Sequence, residues 1–276
     1  MHTITKPIRQ RQKSGPYILI SRTPFLTCNF IIRRAHRMSP TTGSIMIKYM
    51  LLAGMALAIG QADANVVINA TRVIYQEPNK DVIVQLINNG DTPSLIQSWL
   101  DDGDIGSTPE TANVPFLLSP PVVRIAGRNG QQLRIKKSST PHVNDRESVF
   151  YLNVLDIPPV PENMRGLNTL QLAVKSRIKL FYRPAGLKIR PEKMTDNISI
   201  YAQGTQLTIK NDSPYHFTLA NIDRTDHKKL LSDATMVAPF SHAIVKSKAA
   251  IKKNERLSVI YVDDFGAYKE KTLTSH

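Results

Sequence analysis

The chain is poor in the groups that carry catalysis or hold a metal. Its one cysteine, Cys28, falls in the leading segment, so residues 65–276 have no disulfide and no thiolate metal site. None of the seven histidines stands at metal-ligand spacing from another. The G-x-S-x-G, P-loop, H-E-x-x-H and Rossmann glycine signatures are all missing, which leaves no residue set for a hydrolase. The reading is a non-enzyme that needs no cofactor and no metal. Sustained helical periodicity, internal repeats and low-complexity sequence are absent too. The apolar run at residues 49–59 falls short of the roughly 20 residues that span a bilayer, so no stable membrane insertion is expected.

Acids are scarce at the N-terminus. Residues 1–64 carry nine Lys/Arg and a single acid, Asp63, which accounts for +8 of the net charge of +14. The remaining +6 is spread along the chain with acids between the bases, and nucleic acid is not an expected partner. Residues 46–64 read as a secretory signal: Met46-Ile47-Lys48, the short apolar run, then Ala62-Asp63-Ala64. Cleavage is expected after Ala64, giving a soluble product that starts at Asn65. Residues 1–45 are Arg-rich and acid-free, as in a transit peptide, and Arg33-Arg34 suggests a twin-arginine signal, but no apolar run directly follows that pair. They are read as an over-extended translation start, with Met46 or Met38 the true one.

From residue 65 the punctuation is all-β. Candidate strands cover residues 66–75, 81–87, 94–100, 116–118, 122–125, 131–136 and 148–157, separated by turns such as Asn88-Asn89-Gly90-Asp91 and Gly127-Arg128-Asn129-Gly130. Seven or so short strands with Trp99 on an early one predict an immunoglobulin-like sandwich over residues 65–186. Residues 185–191 read as a linker. A second β-rich domain, residues 187–276, shows strands at 198–202, 206–210, 216–222 and 257–262 and one more after the turn Asp263-Asp264-Phe265-Gly266. Asp101-Asp102 and Asp263-Asp264 read as turn residues, because aspartate caps its own backbone in turns.

The most informative stretch is residues 170–184, LQLAVKSRIKLFYRP. Leu170, Leu172, Val174, Ile178, Leu180 and Tyr182 alternate with Gln171, Lys175, Arg177, Lys179 and Arg183, broken by Ala173, Ser176 and Phe181. Alternation of this kind is one face of a β-strand. The run is about twice the usual strand length of five or six residues, so it either bends around a core or projects to pair with something else. Arg72 and Lys179 lie within apolar strands. Such cations are either solvated and outward or turned into a shared cleft, where desolvation demands an anionic partner.

Four motifs now stand in order: Ala70-Thr71-Arg72-Val73-Ile74-Tyr75; Leu95-Ile96-Gln97-Ser98-Trp99; Asp145-Arg146-Glu147-Ser148-Val149-Phe150-Tyr151 with Ile157-Pro158-Pro159; and Ile178-Lys179-Leu180-Phe181-Tyr182-Arg183-Pro184. Together with Asp264-Phe265-Gly266-Ala267, they make the chain resemble the periplasmic chaperones of the chaperone–usher pilus pathway. The resemblance implies two immunoglobulin-like β-sandwich domains in a boomerang arrangement, behind a cleaved signal peptide. It implies that Arg72 and Lys179 anchor the C-terminal carboxylate of a pilus subunit. Leu170, Leu172 and Val174 would supply the strand that the subunit's fold lacks, a mode of β-strand addition. Glu147, Arg183 and Asp264 would form an interdomain charge cluster, taken as exposed and therefore setting domain orientation rather than stability. The short connection at residues 158–169 resembles the short-loop branch of the family. Expected partners are pilus or fimbrial subunits and an outer-membrane usher, with self-association of the free protein left open. The other reading of the same residues is a structural or adhesive immunoglobulin-like surface protein whose last strand is merely core.

Overall fold

The structure, a computed structural model, describes residues 66–139, 141, 143–160, 171–224 and 228–276. The expected signal segment, the extension before it, Leu170 and most of the connection after residue 157 lie outside the described residues. Among the described residues, nine strands build the first domain: β1 (Val66–Ile68), β2 (Arg72–Gln76), β3 (Asp81–Asn88), β4 (Ser94–Asp101), β5 (Phe116–Ser119), β6 (Val122–Ile125), β7 (Gly130–Lys137), β8 (Ser148–Ile157) and β9 (Val174–Arg183). They form two sheets, in orders β1-β3-β7-β5 and β2-β9-β8-β4-β6. Alternation dictates what lies between them: Val84 and Leu86 of β3, Leu133 and Ile135 of β7, Leu152 and Val154 of β8, and Leu180 and Tyr182 of β9 share one core. At one end Phe116 seats three rings, with centroids 5.5 Å from Tyr75, 5.0 Å from Phe150 and 6.0 Å from Tyr182.

The single strand expected at residues 66–75 is in fact two, in different sheets. β1 pairs with β3, and Asn69 N–H still bonds Gln85 O at 2.9 Å, after which the chain crosses the sandwich edge. β2 then joins β9 in parallel. Both pieces keep alternate residues in the same core, Val66 before the crossing and Val73 and Tyr75 after it, which is why the run reads as continuous in sequence.

The second domain opens with a 3₁₀ turn, Pro191–Asn197, started by a proline whose fixed φ suits the first helical position. Its strands are β10 (Ile198–Asn211), β11 (Phe217–Asp223), β12 (Thr235–Val237), β13 (Ser241–Ile251), β14 (Arg256–Val262) and β15 (Tyr268–Thr274). They form a β10-β13 pair facing a β12-β11-β14-β15 sheet around a second core that includes Ile200, Leu207, Phe217, Leu219 and Leu257. The two strands expected at residues 198–202 and 206–210 run on as β10. Gly204, at φ +63°, takes up a register shift there, so the glycine bends the strand rather than ending it. No helix among the described residues is long and apolar enough to cross a membrane.

Candidate functional site

β9 has two neighbours along only half its length. On one side it pairs with β8 from Val174 to Tyr182, and on the other β2 joins only from Lys179 onward. The reason is the crossing of β1 to the other sheet, which leaves residues 174–178 with an unpaired row of backbone groups among the described residues. Inner-face side chains change accordingly. Leu180 and Tyr182 are fully buried, whereas Val174 is 43% exposed and Leu172, just ahead of the strand, 66% exposed. Leu172 falls outside the ladder because β8 gives way to Pro158-Pro159, which have no N–H to offer. Of the three expected donor residues, Val174 thus starts the strand and Leu172 precedes it. Leu170 is outside the described residues.

Where β2 meets β9, Arg72 and Lys179 stand directly opposite each other, both partly buried. Like charges at such a position repel. Arg72 donates from Nη1 to Val262 O of the second domain at 3.4 Å and lies 5.9 Å from the Phe181 ring centre, while its buried Nε has no hydrogen-bond partner. Burial lowers the Arg72 pKa, against the opposing pull of Asp264, Asp263 and Glu147. Burial, and then the charge of Arg72, lower that of Lys179. Two partly buried cations therefore sit side by side at the closed end of an open strand edge, where burial penalises their charge. A cavity of about 270 Å³ between the domains reaches Arg72 and Phe181 but not Lys179, and is walled by Met194, His216, Tyr261 and Phe265.

The structure also brings together Glu147, Arg183 and Asp264. Arg183 donates Nε and Nη2 to Glu147 Oε1 at 3.1 and 2.8 Å, and Nη1 and Nη2 to Asp264 Oδ2 and Oδ1 at 2.8 and 3.0 Å. His216 adds its N–H to Glu147 Oε2 at 2.9 Å and holds Nδ1 at 3.1 Å from the same oxygen. Tyr215 lies under the guanidinium at 4.8 Å. Burial alone would lower the Arg183 pKa, but the bonds and charges of Asp264 and Glu147 outweigh it and push the pKa up. This corrects the expectation of an exposed cluster: the Glu147 and Arg183 side chains are 2% and 10% exposed, and only Asp264 is open, at 41%. The second domain packs onto this patch, a burial that spacing in sequence does not reveal.

Asp263 behaves as a turn residue, its Oδ1 accepting the N–H groups of Phe265 and Ala267 at 3.0 and 2.8 Å. Asp101 does more than expected. It accepts the Gly103 N–H at 2.7 Å, as a turn residue does, yet it ends β4, is buried, and is bonded by Arg177 and Asn153. Its partners come from β8 and β9, so no local signal announced them.

Residues 65–188 match the family described as pili and flagellar-assembly chaperone, PapD N-terminal domain, and residues 193–273 match pili assembly chaperone PapD, C-terminal domain. The chain belongs to the PapD family of pili-assembly chaperones. Among relatives of this PapD-family chain, the probable fimbrial chaperone YehC of Escherichia coli (strain K12) is 42% identical over 207 residues, 75% of this chain and 85% of that one. The chaperone protein MrkB of Klebsiella pneumoniae is 39% identical over 206 residues, 74% of this chain and 88% of that one. The crystal structure of the YadV chaperone superposes with a TM-score of 0.65 at 35% identity, covering 76% of this chain and all of that one. The PapD-type fold of two β-sandwich domains, expected from the motifs, is the fold observed.

Proposed function

We propose that this protein is a periplasmic chaperone that binds pilus subunits along the open half of β9, anchors their C-terminal carboxylate on Arg72 and Lys179, and hands them to an outer-membrane usher. Family membership supports the chaperone role. One observation carries the binding mode: two partly buried cations, Arg72 and Lys179, stand side by side where the free edge of β9 runs out. Main-chain hydrogen bonds along residues 174–178 would supply affinity with little sequence preference, and the uncovered apolar side chains would fill a subunit's open core. An exposed apolar strand edge is an aggregation hazard unless it has a partner, and here the partner is the function. Handing over a subunit exchanges one strand for another and needs no nucleotide, so the protein works as a non-enzyme without cofactor. Residues 1–45, the signal at residues 46–64 and the domain limits 65–186 and 187–276 belong to the same proposal.

The test uses a synthetic strand peptide of alternating apolar and polar residues, ending in a free carboxylate or an amide. Lys179→Ala should weaken the acid peptide roughly 10- to 150-fold, the equivalent of a charged hydrogen bond, and amidation of the peptide should do the same to the unaltered protein. Leu172→Glu should fail differently, keeping the preference for acid over amide while losing overall affinity, because a charge then enters an apolar groove. Equal affinity for acid and amide would return Arg72 and Lys179 to ordinary strand cations and favour the structural or adhesive reading.

A further inference from the structure

The open half of β9 has to be held in strand geometry with little help from the core. Its inner face is bare at Val174 and beyond it at Leu172, and must stay bare to receive a partner. Beyond its ladder to β8, what holds it lies on the outer face. Arg177 grips Asp101 of β4 with two prongs, Nη2 to Oδ1 and Nε to Oδ2 at 3.2 Å, and its guanidinium carbon stands 3.7 Å from the centre of the Tyr151 ring on β8. The buried Asp101 is itself fixed by Asn153 Nδ2, 2.5 Å from Oδ2, and by the Gly103 N–H. Two residues earlier Lys175 donates Nζ to Ile105 O at 3.0 Å and passes 5.3 Å from the Trp99 ring centre, whose Nε1 bonds Ser107 Oγ at 3.1 Å. The outward cations of β9 thus cross-brace β8, β4 and the loop after β4. They do so along the residues that lack a second neighbour.

We propose that Arg177 is a positioning residue for strand capture, an inference that rests on the function proposed above. Its grip on Asp101 sets the open half of β9 in ladder geometry before a partner arrives, so that the partner need not order it. The planar fork of arginine is what the task requires, since one ammonium cannot fix both oxygens and the ring stack together.

The test is Arg177→Lys in the exported protein, titrated with the acid-ended strand peptide and with a truncated peptide that reaches only Arg72 and Lys179. The full peptide should weaken about tenfold. The truncated one should bind as before, and amides at residues 174–178 should exchange faster. Should that variant fail to fold, Asp101→Asn with Arg177→Gln, which leaves no buried charge alone, should give the same split. Equal losses for both peptides, or a lower melting temperature with unchanged affinity for the full peptide, would reduce Arg177 to a structural residue. An unaltered protein that does not distinguish acid from amide peptide would instead defeat the function itself, and this inference with it.

Discussion

Gly266 leaves no room for a side chain beside Thr71: a Cβ built on it would lie 2.0 Å from Thr71 Oγ1. The glycine sits at φ +83° in the turn between β14 and β15, with its N–H on Asp263 O at 3.0 Å. This turn of the second domain therefore rests on the residue just before Arg72, whose own side chain reaches Val262 O in β14. Turn, threonine and Arg72 form one contact.

Gly266→Ala should accordingly cost about 1–3 kcal/mol in strain and weaken the acid-ended peptide as well. Thr71→Ala in the same chain removes Oγ1 but leaves Cβ 3.2 Å away, so it should restore part of the loss. Chemical denaturation of the two single variants and the double one checks this. Strict additivity would mean that the two residues do not press on each other.

Arg183→Ala should unfold the protein far more readily than Asp264→Asn. The first strands a buried Glu147 carboxylate with His216 alone and should cost about 3–5 kcal/mol. The second removes a partner that is 41% exposed and should cost about 0–1 kcal/mol. Solution scattering should show the wider spread of domain angles in Asp264→Asn. A minor stability change in Arg183→Ala would contradict the burial of this cluster.

Carboxylate binding should depend on pH from both ends. Burial and Arg72 depress the Lys179 pKa, and a bound carboxylate raises it again. Affinity is therefore full below the free protein's Lys179 pKa and declines as pH climbs through it, before the usual lysine value is reached. At the acid end it falls as the peptide's carboxyl protonates, near about 3.5. The free protein has the opposite sign: a base with a depressed folded-state pKa lets stability rise as pH passes that pKa. Titration calorimetry of Lys179→Met should lose the alkaline limb and keep the acid one.

Asn88 and Asn211 predict a pair of matched lesions. Asn88 Nδ2 bonds the carbonyls of Thr92, Ile125 and Ala126, while Asn211 Nδ2 bonds those of Tyr215, Val237 and Ala238. Each side-chain oxygen accepts an N–H two residues on, from Gly90 and Ser213. Replacing either by alanine should cost about 3–5 kcal/mol, since several buried carbonyls lose their donor. Losses of under about 1 kcal/mol would show that water replaces the amide.

Those two asparagines also mark how far the sequence could be read. Period-two patterning locates most strands, and it bounds Ser148–Ile157 as the structure does. The domains close equivalent turns with the same device, yet no repeat was visible, because Asn-Asn-Gly-Asp and Asn-Asp-Ser-Pro share one hydrogen-bonding residue and little else. β13 escaped because its inward residues, Ser241, Ala243, Ser247 and Ala249 among them, are too small to give a strong alternation. Phe181 broke the pattern of its strand for a physical reason: its outer face is covered by the second domain, with the His216 ring centre 5.3 Å away. The partnership of Asp101 with Arg177, and the burial of Glu147, depend on residues brought together only by the sheets.

The late arrival of β2 has one further consequence. It fixes the length of open edge at residues 174–178, about 17 Å at strand rise, with the cation pair at one end and the last rung to β8 at the other. Under the proposed function β9 is then a ruler. A client whose final strand is too short leaves rungs empty, and one that is too long runs past Val174, where the ladder to β8 ends. Clients would be sorted by how many residues precede the carboxylate in extended form, whatever those residues are.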